Sequence, residues 1–357
     1  MNENKLYVRQ ICLVFGAFTI ADKLITMPAL AAKYAKEALW ISAGVNFLTD
    51  GLALLFFLYL AKKFEGMTIF QIVEYNLGKV ARKIFAFIFF AFFILKSYLP
   101  IIEHRNFIEV ALYETSPALW IFAPIFLFTA FFSYKGLRAI ARTADIAIWF
   151  TISAIIVIAS LSISVADFSN LLPIIDVSAP EIFKGSFKTS LWFFDSPYLL
   201  FFLGHFKSEK KQSLKISAAY FGFATLVLIY MAIMQCEFGT LTERQFFTPV
   251  KMGKYSVAVS NIGRIDYLAV FALIFSCVFG VGLPLVFATQ CLNKCFNFKH
   301  KIIPCLIVNG TVGITILLTE NYYFLAREFF QKYITPFFAA VVLILPLFAL
   351  FFRRKSA

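Results

Sequence analysis

Thr19-Ile20-Ala21-Asp22-Lys23-Leu24-Ile25-Thr26-Met27-Pro28 lies in the middle of the first long apolar segment, and its reading decides the fold. An acid, a base and a proline a few residues apart are hard to tolerate where lipid surrounds a helix. A charge at the bilayer centre costs roughly 2.5–3.5 kcal/mol even on lenient insertion scales. Pro28 also removes one backbone donor and crowds the carbonyl of Leu24, four residues back. Such a segment is tolerated when other helices shield it and it lines a polar cavity, where broken backbone is allowed. It reads as half of a ligand site at the membrane midplane.

The rest of the chain agrees with a membrane setting. Apolar residues make up 61% of the 357, and the mean hydropathy is +0.81. A soluble core of this size cannot hide that much apolar surface, so the class is polytopic membrane protein. The 47 phenylalanines fit lipid contact and interhelical packing. The cysteines (Cys12, Cys236, Cys277, Cys291, Cys295, Cys305) mostly fall inside apolar segments and read as small buried residues, not as metal ligands or disulfides. The net charge of +13 does not point to nucleic acid, because membrane proteins collect Lys and Arg in cytoplasmic loops. Ala29-Leu30-Ala31 resembles a signal cleavage site, but the run before it is too long and is interrupted by Asp22-Lys23, so the first segment is expected to remain as a helix.

A spanning helix needs about 20 mostly apolar residues. Ten segments qualify, at roughly 10–32, 39–61, 81–112, 118–134, 144–165, 185–205, 213–236, 265–293, 301–319 and 333–352. With the N-terminus inside, most of the 33 Lys and Arg fall in cytoplasmic loops, from Lys5 and Arg9 to Arg353, Arg354 and Lys355. Lys23 and Lys96 fall within the membrane. This bias predicts two cytoplasmic termini. Between the second and third spans, Thr68 and Gln71 have capping-box spacing, and Ile69, Ile72, Val73 and Leu77 form an apolar stripe that ends at Gly78. A short interfacial helix is expected there. Gly136 to Arg142 forms a basic connector on the same side.

The sixth segment carries a second anomaly, Phe194-Asp195-Ser196-Pro197. Serine before proline is a helix start signal, with Ser196 capping and Pro197 at the first helical position. A start signal at mid-depth means a helix broken in two, its second half pointing free amides into the interior. The first helix of each five-helix half thus carries an aspartate and breaking features at matching depth. Paired interrupted segments of this kind point to a transporter-type site between two inverted halves, here 1–165 and 166–357 of one transmembrane domain.

In this setting the chain resembles the GerAB-type spore germination proteins, the B subunits of germinant receptors within the amino acid/polyamine/organocation transporter superfamily. The likeness is carried by Leu24-Ile25-Thr26-Met27-Pro28, by Lys63-Phe64-Glu65-Gly66-Met67-Thr68 leading to Leu77-Gly78-Lys79, and by Lys135-Gly136-Leu137 with Ala141-Arg142. Asp167-Phe168-Ser169-Asn170-Leu171-Leu172-Pro173 and Ile262-Gly263-Arg264-Ile265-Asp266 complete the series in the family's order. The resemblance implies an all-α membrane fold of ten helices in the LeuT-like 5+5 inverted repeat, with helices 1 and 6 broken. It also implies A- and C-type receptor subunits as partners, the endospore inner membrane as location, and amino acids or other small nutrients as ligands. No cofactor is expected. Where related proteins favour small residues at the two breaks, this chain carries Ala21-Asp22-Lys23 and Phe194-Asp195-Ser196. Charged side chains there fill or face the space that small residues leave to a ligand.

The residues themselves leave several roles open. Asp22 and Lys23 point about 100° apart on an intact helix, and an unwound turn lets them meet. They are candidates to bind a ligand's charged groups. Alternatively, Lys23 replaces a coupling cation, or the two neutralise each other and hold the break open. Asp195 is a candidate partner for a ligand amine, with Ala21, Phe194 and Ser196 beside it; its alternative is to cap the half-helix or pair with a lysine. Lys96 is expected to neutralise Asp50 or Asp195, as an ion pair or coupling site. Tyr98, Ser276 and Gly280 are candidate cavity-lining residues. Glu103-His104-Arg105 is expected at a solvated outer mouth, and the sequon at Asn309 falls inside the ninth helix. No nucleophile elbow, phosphate loop or zinc spacing appears, so an enzyme is not expected. The leading reading is a nutrient-sensing receptor subunit. An amino acid or amine permease coupled to protons or cations is the second, and an assembly partner that has lost binding the third.

Overall fold

The computed structural model describes residues 5–112, 118–172, 177–206, 209–255, 263 and 265–350. Pro173, Ile262, Arg264 and the basic cluster at 353–355, invoked above, lie outside the described residues. The described residues are almost entirely helical, without a strand.

The first expected span is two helices, α1 (Val8–Ala21) and α2 (Met27–Ala35), with 22–26 unwound between them. Pro28 sits in the first turn of α2, where its missing N–H is not needed. Helix α3 (Leu39–Lys63) is the second span. Helix α4 (Ile69–Leu112) holds both the interfacial helix and the third span, joined at Gly78, whose φ of 88° makes the kink. The expected capping box is present: Gln71 Oε1 accepts from Thr68 N at 2.8 Å, and Gln71 N donates back to Thr68 Oγ1 at 3.4 Å. Helices α5 (Ala118–Lys135) and α6 (Leu137–Ser162) are the fourth and fifth spans, and Gly136 turns between them at φ 79°.

The sixth span is also broken, into α7 (Ala179–Thr189) and a second half, α8 (Tyr198–Phe202), only five residues long. Then follow α9 (Gln212–Phe238), the short α10 (Thr248–Tyr255) and α11 (Asp266–Phe296). Helix α12 (Ile302–Thr319) carries buried Asn309, which accepts from Thr129 Oγ1 at 2.7 Å. The tenth span starts earlier than expected, as α13 (Tyr323–Phe329), a π-turn over Phe330–Ile334, and α14 (Thr335–Leu350). Among the described residues, six helical stretches are long and apolar enough to cross a membrane. Helix α1 is too short to pass by itself, because the break at 22–26 interrupts the first apolar run.

The two breaks are brought together by packing. Helix α1 lies against α6, α9 and α11, α2 lies against α7, and α4 makes its broadest contact with α11. Phe89, Phe93, Tyr198, Phe201 and Phe287 form one aromatic cluster around α8, with ring centroids 4.8–5.9 Å apart. Such rings fix the short half-helix that propensity alone cannot hold.

Candidate functional site

Unwinding a helix inside a membrane frees amides and carbonyls that need partners. At the first break these come from the loop before and the start of α10. Thr248 Oγ1 donates to Leu24 O at 2.7 Å, and Phe247 N donates to Ile25 O at 2.8 Å. Nothing in the sequence pattern marks Phe247 or Thr248 for this, because the contact spans more than 220 residues.

At the second break, 193–197, two charged side chains supply the partners. Asp50 on α3 accepts from Asp195 N and Ser196 N, both at 3.1 Å, and from Tyr220 Oη at 3.2 Å. Lys96 on α4 donates to the carbonyls of Phe193 and, at 3.4 Å, Leu191. The sequence-based reading is corrected here in two ways. Asp50 and Lys96 do not pair with each other; they divide the broken backbone between them, the carboxylate taking amides and the ammonium taking carbonyls. Ser196 does not cap α8, which begins after Pro197 with no side-chain cap. The amides expected to point at a ligand are already held by Asp50.

Of the charge pairings left open by the sequence, Lys96 takes Asp195 and Asp195 pairs with lysines, while the pair of Asp22 with Lys23 is not formed. Lys23 Nζ lies 2.5 Å from Asp195 Oδ2, and Lys96 Nζ lies 3.2 Å from Asp195 Oδ1. One carboxylate thus bridges two ammonium groups, all three buried. Each oxygen of Asp195 therefore already holds one of the chain's own ammonium groups in this conformation. Asp22 Oδ1 is buried and has no hydrogen-bond partner among the described residues. Gly280 on α11 faces it so closely that a Cβ there would strike the carboxylate, which accounts for glycine at 280. Asp22 and Lys96 line a cavity with Leu99, Trp192 and Phe338. Its volume is about 10 Å³, room for about one water. Ala21 ends α1 with its side chain fully buried beside this cavity's Asp22. Phe194 sits at φ 64°, a conformation that costs a non-glycine residue about 1–2 kcal/mol, with its ring 6.0 Å from Phe338.

Tyr98 and Ser276 do not line the cavity. Tyr98 Oη donates to Thr319 Oγ1 at 2.5 Å while its ring stacks on Phe330, and Ser276 Oγ donates to Leu273 O at 2.8 Å within its own helix. Both hydroxyls are satisfied within the protein, Ser276 locally and Tyr98 across to another helix, as polar groups in apolar helices must be.

The expected solvated mouth is also corrected. Glu103 and His104 are 1% and 0% exposed. Glu103 accepts from Thr26 Oγ1 at 2.6 Å, Tyr323 Oη at 2.8 Å and Trp192 Nε1 at 3.0 Å. It thereby ties the start of α2, the end of the first half of the sixth span and α13 to α4. Only Arg105 keeps a partly open position, 2.5 Å from Glu109. Depth along the chain was a poor guide because α13 and the α7 region cover this end of α4.

A family model described as "Spore germination protein" matches residues 5–324. The chain is similar to the spore germination protein YndE of Bacillus subtilis (strain 168), at 19% identity over 323 residues, covering 82% of this chain and 88% of the relative. Among solved structures, it superposes on a mutant manganese transporter of Eremococcus coleocola with a TM-score of 0.64 and 13% identity, covering 96% of this chain and 78% of the other. A Na+-coupled sialic acid symporter in a substrate-bound, outward-open state gives 0.66 and 12%, with 97% and 79% covered. These likenesses establish a LeuT-type transporter fold.

Proposed function

The chain belongs to the spore germination protein family, and from that premise we propose that it is the nutrient-sensing membrane subunit of a germinant receptor. Its ligand is a small polar nutrient such as an amino acid, taken between the broken first and sixth spans. The observation that carries the reading is the link across the two breaks, Lys23 to Asp195, with Asp22 Oδ1 unpartnered among the described residues beside it. The cavity bordered by Asp22 and Lys96 is too small for an amino acid. Ligand entry therefore requires the half-helices to part, and a ligand favours that parted state by as much as it binds it better. A ligand ammonium competes with Lys23 for Asp195 or takes the free oxygen of Asp22, and Ala21, Phe194 and Ser196 border the opening. In this reading A- and C-type subunits receive the change, the protein resides in the endospore inner membrane with both termini cytoplasmic, and 1–165 and 166–357 move as inverted halves.

A second reading is a permease coupled to protons or cations through Asp22 or Asp195. The unpartnered buried oxygen of Asp22 favours it, since such a group is fit to carry a proton or a cation. The transporter-fold neighbours support it at the level of architecture. One experiment separates the two. The full-length chain, reconstituted in vesicles, is screened against labelled amino acids, with an Asp22→Asn variant alongside. Saturable binding without accumulation, weakened at least tenfold by the variant, is the expected result. Time-dependent accumulation establishes the permease instead. Absence of binding in both chains, alone and with co-encoded partners, overturns both.

A further inference from the structure

The two buried lysines at the centre are held in different ways. Lys96 is held as part of the backbone: its ammonium has Asp195 and two main-chain carbonyls as partners. The Lys23 ammonium has a single hydrogen-bond partner among the described residues, Asp195 Oδ2. The rest of its head faces aromatic rings, 5.3 Å from the Phe193 centroid and 5.9 Å from that of Phe47. Those two rings pack edge to face, 4.8 Å apart, and Phe47 packs in turn on Tyr220, which is hydrogen-bonded to Asp50. A carboxylate with two aromatic faces within about 6 Å of the cation is the chemistry that recognises organic ammonium ions. The cage walls come from α3 and the second break, and Lys23 enters from the first break. The cage is therefore built by other elements than the one that fills it.

We propose that Lys23 is a tethered occupant of an ammonium cage made by Asp195, Phe47 and Phe193, and that shortening it opens the cage to small straight-chain primary ammonium ions. The wild-type chain has no vacancy there. Replacing Lys23 by alanine removes Cγ, Cδ, Cε and Nζ, whose outline is that of n-propylammonium. A buried hole of matching shape and charge binds the missing fragment, as engineered cavities do. The inference concerns the folded chain alone and holds whatever nutrient the protein senses.

The test is thermal unfolding of the full-length chain in lipid nanodiscs, wild type against Lys23→Ala, with n-propylammonium chloride, n-propanol or sodium chloride at matched concentration. The amine at about ten times its half-saturating level should raise the unfolding temperature of Lys23→Ala by roughly 2–4 °C. It should leave wild type unmoved, and n-propanol should not substitute for it. Adding Asp195→Asn to Lys23→Ala should abolish the response. Lys23→Met, which fills the channel without a charge, should not respond. Equal shifts in wild type and Lys23→Ala, equal effects of alcohol and amine, or a stable Lys23→Ala indifferent to the amine each overturn the proposal. If Lys23→Ala accumulates poorly, cells are grown with the amine. Recovery of yield by n-propylammonium and not by n-propanol supports the cage, and no recovery overturns it.

Discussion

Asp195 and Glu103 are both buried carboxylates on elements that meet at the helix breaks, but they are satisfied by opposite means. Asp195 has two ammonium groups on its oxygens and hands its own backbone N–H to a third charge, Asp50. Glu103 has only neutral donors, one hydroxyl, one indole and one phenol. The first arrangement depends on charge balance, so removing one member strands others in an apolar interior. The second depends on directional hydrogen bonds to an anion, which hold four segments in register and release them one at a time. The difference places the cooperative, all-or-none element at the centre and the graded latch toward one end.

Three measurements break or sharpen that contrast. The largest effect is expected for Asp195→Asn, which leaves two buried ammonium groups beside a neutral amide. A loss of about 3–5 kcal/mol is expected for breaking such a pair, seen as a collapse of accumulation in membranes and of the unfolding temperature. Asp22→Asn, also buried but with no hydrogen-bond partner for its Oδ1 among the described residues, should cost far less. A similar loss in both would erase the distinction between the linking and the free aspartate.

Glu103→Gln comes next. The amide keeps the shape but offers one accepting oxygen to three donors, so a loss of roughly 1–3 kcal/mol is expected. A double-mutant cycle with Trp192→Phe should show coupling between the two positions, read in thermal or denaturant unfolding. Strict additivity would mean that the latch is not a unit.

The smallest effect belongs to an exposed carboxylate that serves as the reference. Glu181 accepts from Lys36 Nζ at 3.0 Å, joining α7 to the turn after α2. The Lys36 ammonium, with the Ser178 amide and hydroxyl, holds its acid well down, from 4.5 to about 2. A depressed folded-state value means that the contribution is fully present above about 4.5 and is lost as pH falls toward 2. Both groups are open to water, so the unfolding temperature of wild type and Glu181→Gln should nearly coincide above that window. A large gap at neutral pH would show that surface charge, not the buried centre, secures the half-helices.

The sequence and the structure agree best where one residue's chemistry acts on its own backbone. Pro28 and Pro197 mark both breaks to within a residue or two, and Gly78 and Gly136 sit at positive φ where the turns need them. Agreement fails where partners are distant in the chain. Asp22 and Lys23 are neighbours in sequence and diverge in space, while Lys23 and Asp195 are 172 residues apart and touch. Glu103 sits near a helix end and is nonetheless covered, because Trp192 and Tyr323 arrive from other spans.

The sequence by itself determined that the chain lives in a membrane, that its first and sixth spans are broken, and that charge is concentrated at the breaks. Those properties follow from hydropathy, from proline's missing donor and from the cost of burying an ion, all local to a few residues. Only the tertiary structure decided which charge meets which, that Asp50 and Lys96 serve the broken backbone, and that Lys23 fills the cage at Asp195. Pairing in a low-dielectric interior is settled by distances of a few ångströms between separate helices, and no order along the chain encodes those.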